Sequence, residues 1–293
     1  MRLLALALLA LAGWQAGPPL PVARSEVAGT AFAGGVAVVG GFLADGSSSA
    51  RVDVFRPASG WSTLPDLPVS VNHAMAAAAR GRLYVVGGYG PEGHLRRSFV
   101  LEGGRWRELP PPPDARAAGG AAVVGSTLYV VGGVGPDGLR RTMLALDLRR
   151  ERWRELLGPT PREHLGVAAL AGRLYAVGGR TAGFDTNTRL AESWTPGGRW
   201  RRIAPVPDAR GGTALAAVRG TLVSAGGEAP SGTIASVYRY RPSTGRWARL
   251  ADLTTPRHGL AVVGVVGTLY VIGGGPRPGL TVSDANESLQ VGR

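Results

Sequence analysis

Five arginines occur at one position of a repeated sequence, and the planar fork of a guanidinium is well matched to a carboxylate or a phosphate. Each lies 16 residues before the first glycine of a Gly-Gly pair, and a sixth repeat has Val71 in that place. The five residues are Arg24, Arg116, Arg162, Arg210 and Arg257. If the repeats close into a ring, these side chains would surround one opening of its central channel, which predicts an anion-binding mouth. The alternative is that each arginine is structural and binds carbonyls and carboxylates at the junction between two repeats.

Polar residues that differ from repeat to repeat follow the arginine position and the glycine pairs. Asn72, His73 and His258 come just after the arginine position, and Arg180 comes directly after the fourth glycine pair. Loops on a rigid scaffold commonly carry the binding residues. We therefore predict that these four residues bind the ligand together with the five arginines.

Three residues of the same segments have the chemistry of a general acid or base. Glu163 and His164 follow one of the arginines, and Glu228 follows the fifth glycine pair. A carboxylate and an imidazole are the side chains that most often move protons in active sites. These residues are the candidate catalytic groups if the protein is an enzyme.

Three histidines, His73, His164 and His258, fall in alternate repeats near the predicted mouth. A zinc site requires ligand nitrogens about 2.0–2.1 Å from one ion. We expect alternate repeats to hold these side chains too far apart, and the position of the histidine within its repeat also differs. The sequence therefore predicts no metal site and no cofactor.

The elements that must position these residues follow from the glycine pairs themselves. Six pairs recur at spacings of 47, 45, 46, 48 and 47 residues, and each ends a short apolar run such as residues 128–131. A tryptophan recurs at a similar interval, from Trp14 to Trp247. A period of this size indicates one small unit that buries its apolar faces only against its neighbours. Four strands fit into each repeat, so we predict an all-β, six-bladed propeller.

The repeat resembles that of the kelch family. Residues 128–133 give the tyrosine-containing strand that ends in Gly-Gly, residues 146–148 the next strand, and Trp153 the tryptophan of one full copy. The resemblance covers nearly the whole chain after residue 12, and it implies a propeller that serves as an interaction scaffold, a sugar binder or an enzyme. The chain is also distantly similar to the bacterial sialic acid mutarotase group and to the galactose oxidase propeller, which share this fold.

The expected function is a binding module whose arginine-lined mouth takes an anionic, saccharide or protein ligand. The alternative is a carbohydrate isomerase of the mutarotase kind. A copper centre of the galactose oxidase type is excluded because its tyrosine is cross-linked to cysteine and this chain has no cysteine. A serine hydrolase has no support either, since no G-x-S-x-G elbow is present.

The two ends of the repeated region suggest how the ring closes. Residues 1–12 have the basic start, apolar core and small-residue cleavage site of a signal peptide, which predicts a secreted, periplasmic or cell-surface protein. The last repeat has no tryptophan, whereas Trp14 lies 47 residues before Trp61, so we expect residues 13–17 to complete the last blade. One propeller would then span residues 13–293, with blades near 24–67, 71–109, 116–156, 162–203, 210–250 and 257–290.

The formal charge of +13 comes in part from arginines on either side of the predicted outer-strand tryptophans, such as Arg105 and Arg107. Charge on an exposed edge strand prevents sheet-to-sheet aggregation. A basic belt for an anionic polymer is the other interpretation, but it lacks the interleaved aromatics of single-strand binders. We predict no nucleic-acid partner, no transmembrane span and a monomer.

Overall fold

The computed structural model describes residues 13–292 and contains six four-stranded antiparallel sheets. The predicted six-bladed propeller is therefore confirmed. The signal-peptide prediction falls on residues 1–12, which lie outside the described part. The helical structure within residues 13–292 is one 3-10 turn, Phe184–Thr186, and no helix there has the length and apolarity of a membrane span.

The strands follow the repeat closely, and each blade runs from an inner strand near the axis to an outer edge strand. The first strand of the chain, β1, spans Gln15–Ala16 and belongs to blade six. Blade one consists of β2 (Ala28–Phe32), β3 (Gly35–Val39), β4 (Val52–Arg56) and β5 (Gly60–Leu64). Blade two has β6 (Met75–Ala79) and β7 (Arg82–Val86), a small hairpin of β8 (Tyr89–Gly90) and β9 (Gly93–His94), then β10 (Ser98–Glu102) and β11 (Arg105–Glu108). Blade three has β12 (Gly120–Val124), β13 (Thr127–Val131), the hairpin of β14 (Val134–Gly135) and β15 (Gly138–Leu139), then β16 (Thr142–Asp147) and β17 (Arg152–Leu157).

The second half of the ring repeats this arrangement. Blade four has β18 (Gly166–Leu170), β19 (Arg173–Val177), β20 (Ala191–Trp194) and a short β21 (Arg201–Arg202). Blade five has β22 (Ala214–Val218), β23 (Thr221–Ala225), the hairpin of β24 (Glu228–Ala229) and β25 (Gly232–Thr233), then β26 (Val237–Arg241) and β27 (Arg246–Arg249). Blade six has β28 (Ala261–Val265), β29 (Thr268–Ile272) and β30 (Asn286–Gln290), and β1 is its fourth strand.

The ring closes in the way that the position of Trp14 predicts. Strand β1 pairs antiparallel with β30, with Gln15 opposite Ser288. The indole nitrogen of Trp14 donates a hydrogen bond to the carbonyl of Ala251 at 2.9 Å, in the link that leads out of blade five. The inner strands β2 and β28 are also in contact, so the first and last blades meet at the axis as well as at the edge.

The core lies between the blades, in six clusters that each combine apolar residues from two neighbours. The second strand of each blade is buried on both faces, and Val36 to Val39 of β3 are fully shielded from solvent. The inner strands are rich in alanine and glycine, because six of them converge on one axis and larger side chains would collide. The fold thus gathers the start of every inner strand at one end of a narrow channel.

Candidate functional site

The five repeat arginines do not line the channel mouth, and the predicted ring of guanidiniums is wrong. Each side chain is at most 1% exposed and donates to the carbonyl of the glycine 16 residues further on. The bonds join Arg24 to Gly40, Arg116 to Gly132, Arg162 to Gly178, Arg210 to Gly226 and Arg257 to Gly273. The glycine pairs turn the chain at positive φ, so their carbonyls point into the blade junction and an arginine there satisfies them.

Each buried arginine also has a carboxylate partner, from one of two places. In blades one, four and six the acid lies on the third strand, and the pairs are Arg24–Asp53, Arg162–Glu192 and Arg257–Glu287. In blades three and five it lies two residues before the arginine, and the pairs are Arg116–Asp114 and Arg210–Asp208.

Blade two has neither the arginine nor an acid at either of the two positions that supply its partner in the other blades. It has Val71 at the arginine position, Val69 two residues earlier and Phe99 at the third-strand position. This position is therefore occupied either by a buried ion pair or by apolar residues. That pattern is expected of a structural arginine at the blade junction, which is the alternative that the sequence left open.

The channel is closed at this end by one residue from each blade, two places after the arginine position. We call these six residues the axial ring. All six have positive φ, between 50° and 65°. From blade two to blade six, the backbone nitrogen of the ring member donates to the carbonyl of the ring member in the preceding blade, at 2.7–3.0 Å. A bond from Val27 to Gly259 completes the circle. The axial ring consists of Glu26, His73, Ala118, His164, Gly212 and Gly259.

Three side chains of the axial ring meet on the axis. His73 Nε2 lies 3.0 Å from His164 Nε2 and 3.1 Å from Glu26 Oε2, and His164 Nε2 lies 3.9 Å from the same oxygen. The other three members, Ala118 and two glycines, leave this space free. The expectation that alternate blades hold His73 and His164 too far apart is therefore wrong, because one hydrogen bond per blade makes the ring narrow enough for side chains two blades apart to touch.

His258 approaches the other oxygen of the Glu26 carboxylate from one residue earlier in the repeat. Its Nδ1 lies 3.0 Å from Glu26 Oε1, and its Nε2 lies 3.1 Å and 3.0 Å from the carbonyl oxygens of Arg277 and Gly279. Because all these partners accept, both ring nitrogens donate and the ring is an imidazolium. Burial alone would lower the pKa of His258, but Glu26, Glu228 and the carbonyl of Arg277 together raise that pKa.

Asn72 fixes the orientation of the His73 ring. Its amide nitrogen donates to Ser48 Oγ at 2.7 Å, so its oxygen accepts from His73 Nδ1 at 2.5 Å. Burial lowers the pKa of His73 to about 4, which leaves the ring neutral near pH 7 with a lone pair on Nε2. Burial would raise the pKa of Glu26, but the surrounding histidines, His73 first, hold it below its usual range.

Arg180 joins the candidate acid–base residues into one network. Its guanidinium donates to Glu228 Oε1 at 2.8 Å, to Glu163 Oε1 at 3.2 Å and to His164 Nε2 at 3.1 Å. Glu163 Oε1 also lies 3.2 Å from His164 Nδ1. The structure thus brings together Glu163, His164 and Glu228, as well as Asn72, His73, Arg180 and His258, at one end of the channel. A catalytic role for the first three stays a prediction.

Four large apolar side chains surround the cavity above this network, and we call them the rim. They come from the loops after the glycine pairs of blades one, two, four and six, and they are Phe42, Tyr89, Phe184 and Leu280. The cavity has a volume of about 340 Å³. Phe42 and Tyr89 contact the His73 ring edge-on, and the Arg180 guanidinium lies 4.9 Å from the centre of the Phe184 ring.

Sequence reasoning missed Glu26 as a site residue, and it did not include the rim in the binding set. Counting back 14 residues from each glycine pair, rather than 16, gives the axial ring directly. That count places Glu26, His73 and His164 at one equivalent position, which is the signal that they converge.

Two comparisons with known proteins agree with this architecture. A family model described as the KLHDC2/KLHL20/DRC7 Kelch-repeats domain matches residues 73–274. A stretch of 107 residues is 36% identical to human Kelch repeat and BTB domain-containing protein 13. That match covers 35% of this chain and only 23% of the human protein.

Proposed function

The chain belongs to the kelch-repeat family, and from that premise we propose that it is a binding module for a protein that docks over the rim. The observation that carries the proposal is the rim itself, in which side chains from four separate blades surround one cavity. Large apolar and aromatic side chains around a cavity with a few polar groups are typical anchors of a binding site. The expected ligand is an extended peptide segment of the partner that inserts an apolar side chain.

The charges below the rim do not favour the anionic ligand expected from the repeat arginines. Arg180 already contacts two carboxylates, and His258 contacts one carboxylate and two carbonyls. Among the described residues that line this cavity, no cation is without a partner. An anion would have to displace a buried carboxylate, which is costly because the displaced charge must find another partner.

The carbohydrate isomerase alternative requires a base with a pKa near the working pH. Burial, the largest single influence, would raise the pKa of Glu163, but His164 and Arg180 together hold it below its ordinary value. Such a carboxylate is a weak base. This chemistry favours the binding module over the enzyme.

A random peptide library displayed on phage tests the proposal, because it samples many peptide sequences and does not require the partner to be identified first. We expect selected peptides to lose binding to Leu280→Glu and to Phe184→Ser, because both changes put polarity into the rim. Leu280 is 54% exposed, so its substitution should not disturb the fold. The matched control is Leu157→Glu, at an 83% exposed leucine on the outer strand of blade three, and it should bind as the parent does.

Two results would contradict the docking surface. Peptides that bind the parent and both rim variants equally would place the binding face elsewhere on the propeller. The second result is that no peptide is selected, while a glycan from an array binds the parent and does not bind Phe184→Ser. The ligand would then be a saccharide stacked on the aromatic side chains rather than a protein.

Location outside the cytoplasm stays a prediction, since it depends on the pattern of residues 1–12. Expression in a bacterium with an export pathway, followed by N-terminal sequencing of the exported protein, tests it. A mature protein that begins at Gly13 would support the prediction, and a cytoplasmic protein that keeps Met1 would contradict it.

A further inference from the structure

The three side chains that meet on the axis have the separations of ligands around one metal ion. The atoms His73 Nε2, His164 Nε2 and Glu26 Oε2 form a triangle with sides of 3.0, 3.1 and 3.9 Å. The point equidistant from all three lies about 2 Å from each, which is the usual metal–nitrogen and metal–carboxylate distance for zinc. We propose that Glu26, His73 and His164 bind a divalent transition metal ion, such as zinc, on the propeller axis.

The hydrogen bonds around the triangle leave a lone pair free on His73 Nε2 and on Glu26 Oε2, whereas the lone pair of His164 Nε2 accepts from Arg180. His73 donates its Nδ1 proton to Asn72, so its Nε2 is free to coordinate. His164 accepts at Nε2 from Arg180, so its proton is on Nδ1, 3.2 Å from a Glu163 oxygen. The bond from His73 to Asn72 is of the outer-shell kind that orients a metal-binding histidine, whereas the approach of His164 Nδ1 to Glu163 lacks hydrogen-bond geometry.

The same arrangement is unfavourable without a cation between the three atoms. His164 Nε2 already accepts from Arg180, whereas His73 Nε2 and Glu26 Oε2 face each other at 3.1 Å while His73 donates from Nδ1 to Asn72. The remaining oxygen of Glu26 is held by the His258 imidazolium, so this carboxylate cannot easily turn away. A metal ion would replace this repulsion with three coordinate bonds.

The backbone holds the three ligands in place before any ion binds. Glu26, His73 and His164 all adopt left-handed φ, at 50°, 51° and 53°. This conformation is unfavourable for a residue other than glycine. It persists here because the backbone bonds of the axial ring fix it.

A second group of possible ligands, Glu26, Glu228 and His258, lies beside the first. His258 uses both nitrogens as donors to oxygen atoms, so it has no lone pair to offer. The proposal is therefore for one ion per chain, at the His73 and His164 side of Glu26.

Arg180 is the competitor of the metal. It donates to the His164 Nε2 lone pair that the ion would use, and its positive charge disfavours a cation nearby. Its two other contacts, to Glu163 and Glu228, can remain when the contact to His164 is lost. Replacing Arg180 should therefore strengthen metal binding rather than weaken it.

The experiment uses the full chain, treated with a chelator and titrated with ZnCl₂ by calorimetry and with CoCl₂ by visible absorption. We expect one equivalent of either ion, with cobalt bands typical of nitrogen and oxygen ligands. The variants His73→Gln, His164→Gln and Glu26→Gln should lose on the order of 100-fold in affinity or more, since even outer-shell changes at metal sites cost about 10–100-fold. His94→Gln is the matched control, because His94 is the one histidine of the four outside the cluster.

Arg180→Met separates loss of ligands from loss of folding. We expect it to bind zinc more tightly than the parent, a gain that a misfolded protein would not give. Absence of stoichiometric binding in both the parent and Arg180→Met would overturn the proposal. Binding that survives in His73→Gln and His164→Gln, or that disappears in His94→Gln, would overturn it as well.

Discussion

Replacing Arg162 with methionine should destabilise the propeller strongly, because its guanidinium is fully buried. The side chain donates to the carbonyls of Gly178, Thr160 and Ala176 and to the Glu192 carboxylate. Methionine fills a similar volume but removes the guanidinium donor from those carbonyls and leaves the carboxylate with only the Thr160 donors and no cation beside it. Removing one member of a buried ion pair costs about 3–5 kcal/mol.

Blade two suggests the companion variant, since its equivalent site is apolar. We expect Arg162→Met combined with Glu192→Leu to be more stable than Arg162→Met alone, because no unpaired charge then stays buried. Blade three already carries a leucine, Leu144, at the position of Glu192. The coupling between the two changes should be about 0.5–3 kcal/mol, as for residues in one network.

Urea unfolding followed by tryptophan fluorescence measures these free energies of unfolding. The control is Arg105→Met, an exposed outer-strand arginine, which should stay within about 0.5 kcal/mol of the parent. A loss below about 1 kcal/mol for Arg162→Met would refute the brace, since even the desolvation of one unpaired buried group costs that much. The brace would also be refuted if the double variant lost more free energy of unfolding than the two single variants lost in sum.

Two further predictions concern ring closure and the glycine pairs. Deleting residues 13–20 should lower the melting temperature measured by calorimetry, because β1 and the Trp14 indole bond to Ala251 are lost; an unchanged melt would exclude the clasp. Gly87→Ala should lose clearly more stability in urea than Gly81→Ala. Both glycines have positive φ, but only at Gly87 would a Cβ overlap a carbonyl oxygen, that of Arg116, and equal losses would contradict this reasoning.

The fold could be predicted from the sequence because a propeller repeats one local pattern six times. Each glycine pair and the apolar strand before it recur at the same place in every blade, so the period sets the number of blades and their strand order. The closure by residues 13–17 also follows, since Trp14 keeps the register of a strand that the last repeat lacks.

The site could be predicted only in part, because recurrence does not tell which way a side chain points. The repeat arginines point into the blade junctions rather than into the channel. Comparison of the repeats gives one indication of the structural role. In blade two, where Val71 replaces the arginine, the two positions that could supply an acid, Val69 and Phe99, are also apolar. The shared repeat position of His73 and His164 can be read from the sequence, but their side-chain contact depends on the width of the axial ring, which its backbone hydrogen bonds set.

Closure by β1 has a consequence for how the protein is made. Gln15 is among the first described residues to be synthesised, yet its partner Ser288 emerges 273 residues later. At about 5–20 residues per second, the N-terminal strand waits about 14–55 s on the ribosome for its place in the sheet. During that time the blade-one side of the last interface, including Val36 and Phe55, has no blade six to cover it. A newly made chain is therefore open to aggregation at this surface until blade six has been synthesised, and this is the interval in which a chaperone would protect it.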